Sequence, residues 1–364
     1  MISKLFIDNA VSQSPLVHSF QKNLNIPFEY IDNINDVYKI IDASEDPVAE
    51  GKKNLVLTKN KGAFIKKCPG TSCYTCCDYK ILHIGTFCFM DCSYCILQAY
   101  FHPPVLQFFV NTDDLFMELD KLFLAPEITR IGTGEYTDSL IWDHWTNISP
   151  QLIDRFSKQK RAVLELKTKT VAVSKLEKIS HNQKTIMAWS LNTERVIRNN
   201  ERNTSSLDAR IRAASQCEAW GYPLAFHFDP IVIYEGCIDE YRSVVEKLLT
   251  TVSPESIAYI SLGSFRFIPS LKKIIQQRFE ESDIVYGEFI QGLDGKMRYF
   301  KPLRIKVYKA IYEAIRSFSP DVFVYYCMED SEVWEKTMGF FHIQQGGLGQ
   351  RLDERVKQHC RLEI

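Results

Sequence analysis

From about residue 80 the chain alternates short apolar runs with longer stretches whose apolar positions recur every three to four residues. The apolar runs cover 79–84, 128–132, 162–168, 186–192, 223–229 and 257–262. Runs of this length, bounded by polar and turn residues, predict buried strands. Between them, Leu115, Phe116, Leu119, Leu122 and Phe123 share one helix face. Thr112 is its expected N-cap, with Asp113 and Asp114 suiting the dipole of the first turn. Ser206 is the expected cap of a helix carrying Leu207, Ile211 and Ala214, which Gly221 ends. Tyr241, Val244, Val245, Leu248 and Leu249 mark another such face. Six strands alternating with helices predict a parallel sheet with right-handed crossovers. A partial (β/α) barrel and an open doubly wound sheet both satisfy this pattern.

The flanking segments are less regular. Residues 1–66 mix polar and apolar stretches without a motif and read as an N-terminal extension. Residues 67–270 carry the α/β alternation, and residues 271–364 read as an α+β segment. Within the latter, residues 289–293, Asp294-Gly295 and residues 296–300 predict a β-hairpin. A helix near 303–318, a strand at 322–327 and a short helix near 331–337 follow. No internal repeat interrupts the chain.

Composition narrows the class. At roughly 150 residues per domain, 364 residues suit two domains or one large barrel with appendages. A hydrophobic content of 45% with 24% charged residues excludes wholesale disorder. Lys and Arg total 44 against 45 Asp and Glu, a net charge of −1, so any nucleic-acid surface must be a local patch. No stretch approaches the ~18 apolar residues of a membrane span. The start, MISKLFIDNAVSQS, lacks a signal-peptide core. A cytoplasmic protein without membrane contact is expected.

Cysteine is the outlier. Seven of the 11 cysteines fall between Cys68 and Cys95. A long chain with an odd cysteine count does not suit a secreted disulfide scaffold. Cys88, Cys92 and Cys95 form a CxxxCxxC run after the first expected strand, on a βα loop. In a βα barrel such loops build the active face. Three thiolates on one loop suit three irons of a [4Fe–4S] cluster, leaving one iron open to a small molecule. A zinc site or buried free thiols are the other readings of the same run.

This spacing resembles the radical S-adenosylmethionine (SAM) superfamily, and the resemblance implies SAM as a second cofactor. Gly132-Thr-Gly134-Glu135 is similar to the superfamily's Gly-Gly-Glu element after the second strand. There, small residues let the backbone approach a ligand. By the same resemblance Lys169, Ser190 and Asn192, at the ends of later strands, are expected to contact SAM together with Tyr94, Gly134 and Glu135.

Within the superfamily the chain resembles spore photoproduct lyases from Lys67 to Tyr308. The resemblance runs through Cys92-Ser-Tyr-Cys95-Ile-Leu-Gln98, Asp143-His144, Lys169, Ser190-Leu-Asn192 and Arg210-Ile-Arg-Ala-Ala214. It continues through Gly221-Tyr-Pro, Phe226-His-Phe-Asp-Pro230, Glu235-Gly236 and Phe265-Arg-Phe267. It implies a partial (β/α)6 TIM barrel, a three-cysteine [4Fe–4S] cluster, SAM, and repair of a methylene-bridged thymine dimer. DNA and a reducing partner such as flavodoxin or ferredoxin are the implied partners. A hairpin near the C-terminus is implied to touch DNA, with Lys296, Arg298, Tyr299, Lys301 and Arg304 as its candidates. Cations suit phosphates and aromatics suit an unstacked step.

Two positions depart from the lyases. Glu135 stands where they carry the cysteine that returns a hydrogen atom to the product, and Ile96 replaces a tyrosine. Tyr94 and Tyr136 become the candidates for late hydrogen transfer. A substrate other than a thymine dimer, or a non-enzymatic metal-containing nucleic-acid-binding protein, are the alternatives. Cys68, Cys73, Cys76 and Cys77 suit a second metal site, a replacement thiol donor, or a turn with packed cysteines. His227 and Asp229 are expected to face the barrel lumen. Cys217 and Cys360 are expected to pack within helices.

Overall fold

The computed structural model describes residues 2–71, 73–341 and 347–363. The chain opens with parallel strands β1 (Lys4–Asp8), β2 (Phe28–Ile31) and β3 (Asn54–Thr58). Helices Pro15–Leu24, Ile34–Asp42 and Pro47–Lys53 connect them. Next, β4 (Ile65–Lys67) pairs antiparallel with β5 (Lys80–Leu82). Then β6 (Gly85–Thr86) and β7 (Leu106–Phe109) return to the first sheet, where β7 lies parallel to β3. The expected boundary at residue 66 is therefore not a boundary of the fold. Residues 85–86 and 106–109, assigned to the barrel from sequence, complete the N-terminal sheet. The apolar run Leu106–Phe109 covers Leu55 and Leu57, whose side chains are fully buried.

The main sheet adds β8 (Thr129–Gly132), β9 (Ala162–Thr168), β10 (Thr185–Ser190), β11 (Leu224–Ile231) and β12 (Ile257–Ser264). These, with β5, are the six strands expected from the apolar runs. All neighbours among them are parallel. A third sheet joins β13 (Arg266–Phe267) to the hairpin β14 (Phe289–Gln291) and β15 (Met297–Tyr299). Gly295 turns that hairpin with φ +75°, as the Asp-Gly pair predicts. Last, β16 (Val324–Tyr326) adds a parallel strand beside β12.

The choice between open sheet and barrel is settled by side chains that meet across the sheet. Glu165 on β9 accepts hydrogen bonds from Tyr79, just before β5, and from Tyr259 on β12. His227 on β11 stands 3.4 Å from the same carboxylate. Strands so far apart in sheet order reach one point only if the sheet curls around it. The molecule is a curled half-barrel, the expected fold class.

The outer helices follow the expected faces. Ser206 caps Leu207–Ala219 by accepting from Ala209 N–H. Tyr241, Val244, Val245, Leu248 and Leu249 are the buried face of Cys237–Thr251. Thr112 is instead the first residue of its helix, and Asn111 takes the cap position. The Asn111 amide is held by Asn60 O and by Asp114 Oδ2. Cys217 and Cys360 are buried as packing residues.

Candidate active site

The three-cysteine loop leaves β6 and runs into the short helix Leu97–Tyr100. It has little secondary structure, so its backbone carbonyls need partners from elsewhere. Lys52 donates to Cys88 O at 3.0 Å and also to Met90 O. Gln98 donates to the carbonyls of Cys92, Ser93 and Cys95 at 3.1, 3.0 and 3.3 Å. Arg278 bridges Asp46, Asp91 and Gln98. Ser93 is tied to Asn200 through both its N–H and its hydroxyl. The loop is thus held from the N-terminal sheet, the barrel and helix Pro269–Arg278 at once. Lys52, Arg278 and Asn200 were not identified from sequence. Each lies far along the chain from the cysteines, and nothing local marks it.

The thiols fit an iron–sulfur cluster. Cys88 and Cys92 are buried and Cys95 is half-buried. Burial pushes the Cys88 thiol up to about 12 and Cys92 further up. A cationic metal centre reverses that penalty by binding the thiolates. No three His, Cys, Asp or Glu side chains among the described residues converge as ligands of a single ion.

Tyr94, inside the loop, donates its hydroxyl to Glu201. Burial and the Glu201 charge hold its phenol well above the ordinary range. Glu201 is fully buried against Arg210, which also donates to Ser190 O at 2.8 Å and Ser205 O at 2.9 Å. Lys169 lies 5.7 Å from the centre of the Tyr94 ring. Its backbone is fixed by Asp138, which accepts from Lys169 N–H at 2.8 Å. Tyr94, Ser190 and Lys169 therefore meet beside the cysteine loop. Glu201 completes the group and was missed because it sits alone in a polar loop.

Gly134 packs directly on β9. A Cβ there would lie 2.9 Å from Lys167 Cβ and 3.1 Å from Lys167 O, so no larger residue fits without moving the strand. Glu135 turns into the lumen and pairs with Lys167 at 2.5 Å. That cation holds the Glu135 carboxyl below its ordinary value. Tyr136 leaves in another direction and stacks on Tyr100, with centroids 6.0 Å apart, and meets His83 edge-on at 4.8 Å. Tyr94 and Tyr136 are therefore in separate surroundings.

Two sets of expected contacts are corrected. Asn192 donates to Pro230 O at 2.8 Å and accepts from Tyr241 Oη at 2.7 Å and Thr193 N at 3.0 Å. Its amide is spent on joining β11 to helix Cys237–Thr251 rather than turned toward a ligand. Arg298 and Tyr299 in the hairpin, and Arg304 on the helix Lys301–Phe318 that follows it, are buried, not presented to DNA. Arg298 binds Asp294 at 2.7 Å and Met328 O at 3.0 Å. Tyr299 Oη accepts from Ile233 N–H at 3.2 Å. Arg304 pairs with Glu329. Arg298 and Tyr299 are neighbours on opposite faces of β15, and both faces are covered: Tyr299 packs on Phe265 and Phe289, and Arg298 lies over the Tyr74 ring. Lys301 is paired with Asp330 and Glu332, and Lys296 stands 3.9 Å from Asp294.

A half-barrel with a three-cysteine loop at its mouth, and polar strand ends facing that loop, is the architecture of radical SAM proteins. The family model for spore photoproduct lyase matches residues 12–316. The chain belongs to the spore photoproduct lyase family, a family of radical SAM lyases. It is 32% identical over 235 residues to the spore photoproduct lyase of Bacillus subtilis (strain 168), covering 63% of this chain and 66% of that protein. The aligned part thus spans just under two thirds of that relative. It is 27% identical over 255 residues to the spore photoproduct lyase of Clostridium acetobutylicum, covering 69% and 72%. Among solved structures, a spore photoproduct lyase variant with dinucleoside spore photoproduct superposes with a TM-score of 0.80 at 24% identity, covering 90% of this chain and 99% of that one. Another, with bound AdoMet and the dinucleoside, gives 0.79 at 24% identity over the same shares.

Proposed function

We propose that this chain is a radical SAM lyase that repairs a methylene-bridged thymine dimer in DNA. The observation that carries the reading is the cysteine loop, held at the barrel mouth beside Lys169, Tyr94 and Ser190. Cys88, Cys92 and Cys95 would hold a [4Fe–4S] cluster. With SAM bound, that cluster supplies a 5′-deoxyadenosyl radical. The protein binds, orients and shields. Lys169 offers a cation to the carboxylate of SAM. Gly134 lets the turn after β8 pack directly on β9, which sets Glu135 beside Lys167. Lys52 and Gln98 keep the loop carbonyls satisfied, so the loop keeps its shape before and after loading.

The DNA contact moves to the exposed apolar residues of the hairpin and its exit. Leu293 at its tip is 78% exposed, and Ile290 and Phe300 are 45% exposed. Exposed apolar side chains on a narrow hairpin suit a wedge between bases, and a lesion must leave the stack to reach the lumen. The structures of relatives with dinucleoside spore photoproduct support the substrate. The electron comes from a one-electron donor of the flavodoxin or ferredoxin class.

Anaerobic reconstitution tests the reading. About four iron and four sulfide per chain are expected, with 5′-deoxyadenosine formed on reduction and thymine restored in an oligonucleotide carrying the lesion. SAM cleavage without restored thymine would reject the lesion as substrate. Zinc binding without SAM cleavage would reject the radical chemistry.

A further inference from the structure

The lumen is built in layers along β9 and its exit. Glu165, Lys167 and Lys169 are spaced two residues apart, so they share one side of the strand at a pitch of about 7 Å. Lys169 is the outermost, beside the Tyr94 ring of the cysteine loop. Glu165 is the innermost, and its layer is sealed. Tyr79 and Tyr259 donate to its carboxylate, and His227 stands 3.4 Å from it. His227 Nδ1 shares a hydrogen bond with Ser261 Oγ at 2.6 Å. A Cβ on Gly132 would lie 1.9 Å from Tyr79 Oη, so no further group fits there. Asp229, two residues on from His227 on the same face of β11, is paired with Arg266 at 3.4 Å.

Lys167 forms the middle layer with Glu135, 2.5 Å away. This layer can be reached. The Lys167 and Glu135 side chains are 22% and 32% exposed, against 5% for Glu165 beneath them. Among the described residues, each of the two side chains has the other as its only hydrogen-bond partner. Two ammonium protons and one carboxylate oxygen are left for a ligand. Ala188, the register neighbour of Lys167 on β10, presents only a methyl group, so that strand does not fill the space beside the pair. Lys167 holds the Glu135 carboxyl below its ordinary value, which makes it an acceptor rather than a donor at neutral pH.

We infer that the Glu135–Lys167 pair reads the imide edge of a thymine ring extruded into the lumen. This deepens the lyase reading and rests on it. An extruded base is recognised by hydrogen bonds to its Watson–Crick edge. That edge of thymine sets an N3–H donor between two carbonyl acceptors. A carboxylate beside an ammonium is its complement: Glu135 accepts from N3–H, and a free Lys167 proton goes to the adjacent carbonyl. A methylene bridge joins the two rings through carbon and leaves their imide edges intact. Cytosine turns an N3 lone pair toward the carboxylate and is disfavoured. Glu135 is then a substrate contact rather than the SAM contact its Gly-Thr-Gly-Glu setting suggests, because Lys167 draws it one layer inside Lys169. The relatives carry cysteine at this position, so the reading belongs to this chain's own pair.

The test measures binding by the reconstituted full chain with SAM and without reductant, so that no turnover occurs. The probes are dinucleoside spore photoproduct and its analogue methylated at N3 of both rings. The wild type is expected to bind the unmethylated probe at least about tenfold more tightly, the size of a hydrogen bond to a charged group. The variant E135L/K167M replaces the pair by apolar side chains of similar volume, a change that buried ion pairs tolerate. It is expected to bind the two probes within about threefold of each other, because the acceptor for N3–H is gone. Glu135→Cys, which restores the relatives' residue, is expected to do the same and carries the test if the double variant does not fold. A smaller preference in the wild type, or a larger one in a variant with native near-UV circular dichroism, overturns the inference alone. A wild-type chain that binds neither probe overturns the lesion reading and the inference together.

Discussion

Glu165 shows how much a single residue's neighbours decide. Burial alone would raise its carboxyl, but His227, Lys167 and the Tyr259 hydroxyl outweigh burial and hold it at about 2. An unfolded Glu titrates near 4.3. A folded value below the unfolded one means the native state favours the carboxylate. The gain is present in full above about pH 4.3 and is lost as pH falls from there toward 2; a shift of this size corresponds to about 3 kcal/mol. Urea unfolding at pH 6, 4 and 3 should show this acid loss in the wild type. In Glu165→Gln the slope over the same window should be shallower, and equal slopes would remove Glu165 as its source. The sequence marks Glu165 only as a polar residue in an apolar run. Its partners lie at positions 79, 167, 227 and 259, so its role was not legible there.

At the scale of elements, the hairpin separates what pattern predicts from what packing assigns. Its strands and Asp-Gly turn were legible because both depend on residues a few positions apart. Which cations face solvent was not, because that depends on distant residues such as Tyr74 and Phe265 that cover the two sides of β15. Arg298 and Asp294 form a buried pair, with side chains 2% and 0% exposed. Arg298→Ala strands the Asp294 charge and is expected to cost about 3–5 kcal/mol in chemical denaturation. Leu293→Ser at the exposed tip should leave stability within about 0.5 kcal/mol and weaken binding of lesion-bearing duplex in a gel-shift titration. If Arg298→Ala were silent in stability and lowered only DNA affinity, the structural role of the buried Arg298–Asp294 pair would be rejected. The cysteine loop follows the same division. Its spacing was readable, while the clamp of Lys52, Gln98 and Arg278 was visible only once the fold brought them together.

One large core joins the N-terminal sheet to the barrel, beside two smaller clusters. It runs from Leu5 and Leu55 through Phe108 and Trp142 to Leu164 and Ile260. The N-terminal sheet therefore shares its interior with the barrel, and the helix Pro47–Lys53 leading into β3 supplies Lys52 to the cysteine loop. A chain beginning at residue 61 would expose Leu106 and Phe108 on β7 and leave the carbonyls of Cys88 and Met90 without Lys52. It is expected to lose the cooperative thermal transition and the near-UV circular dichroism of the full chain. A truncated chain that kept both would show that the barrel stands alone. What the sequence by itself determined were the features written at short range. These are six buried strands, the helices between them, the hairpin and a three-cysteine loop after the first barrel strand. Periodicity, turn chemistry and ligand spacing all act over a few residues, so one chain suffices to read them. Only the tertiary structure decided the curl of the sheet, the N-terminal strands' place beside β7, and the burial of Arg298 and Arg304. Those outcomes depend on which surfaces are removed from water together, and that is set by contacts between residues up to hundreds of positions apart.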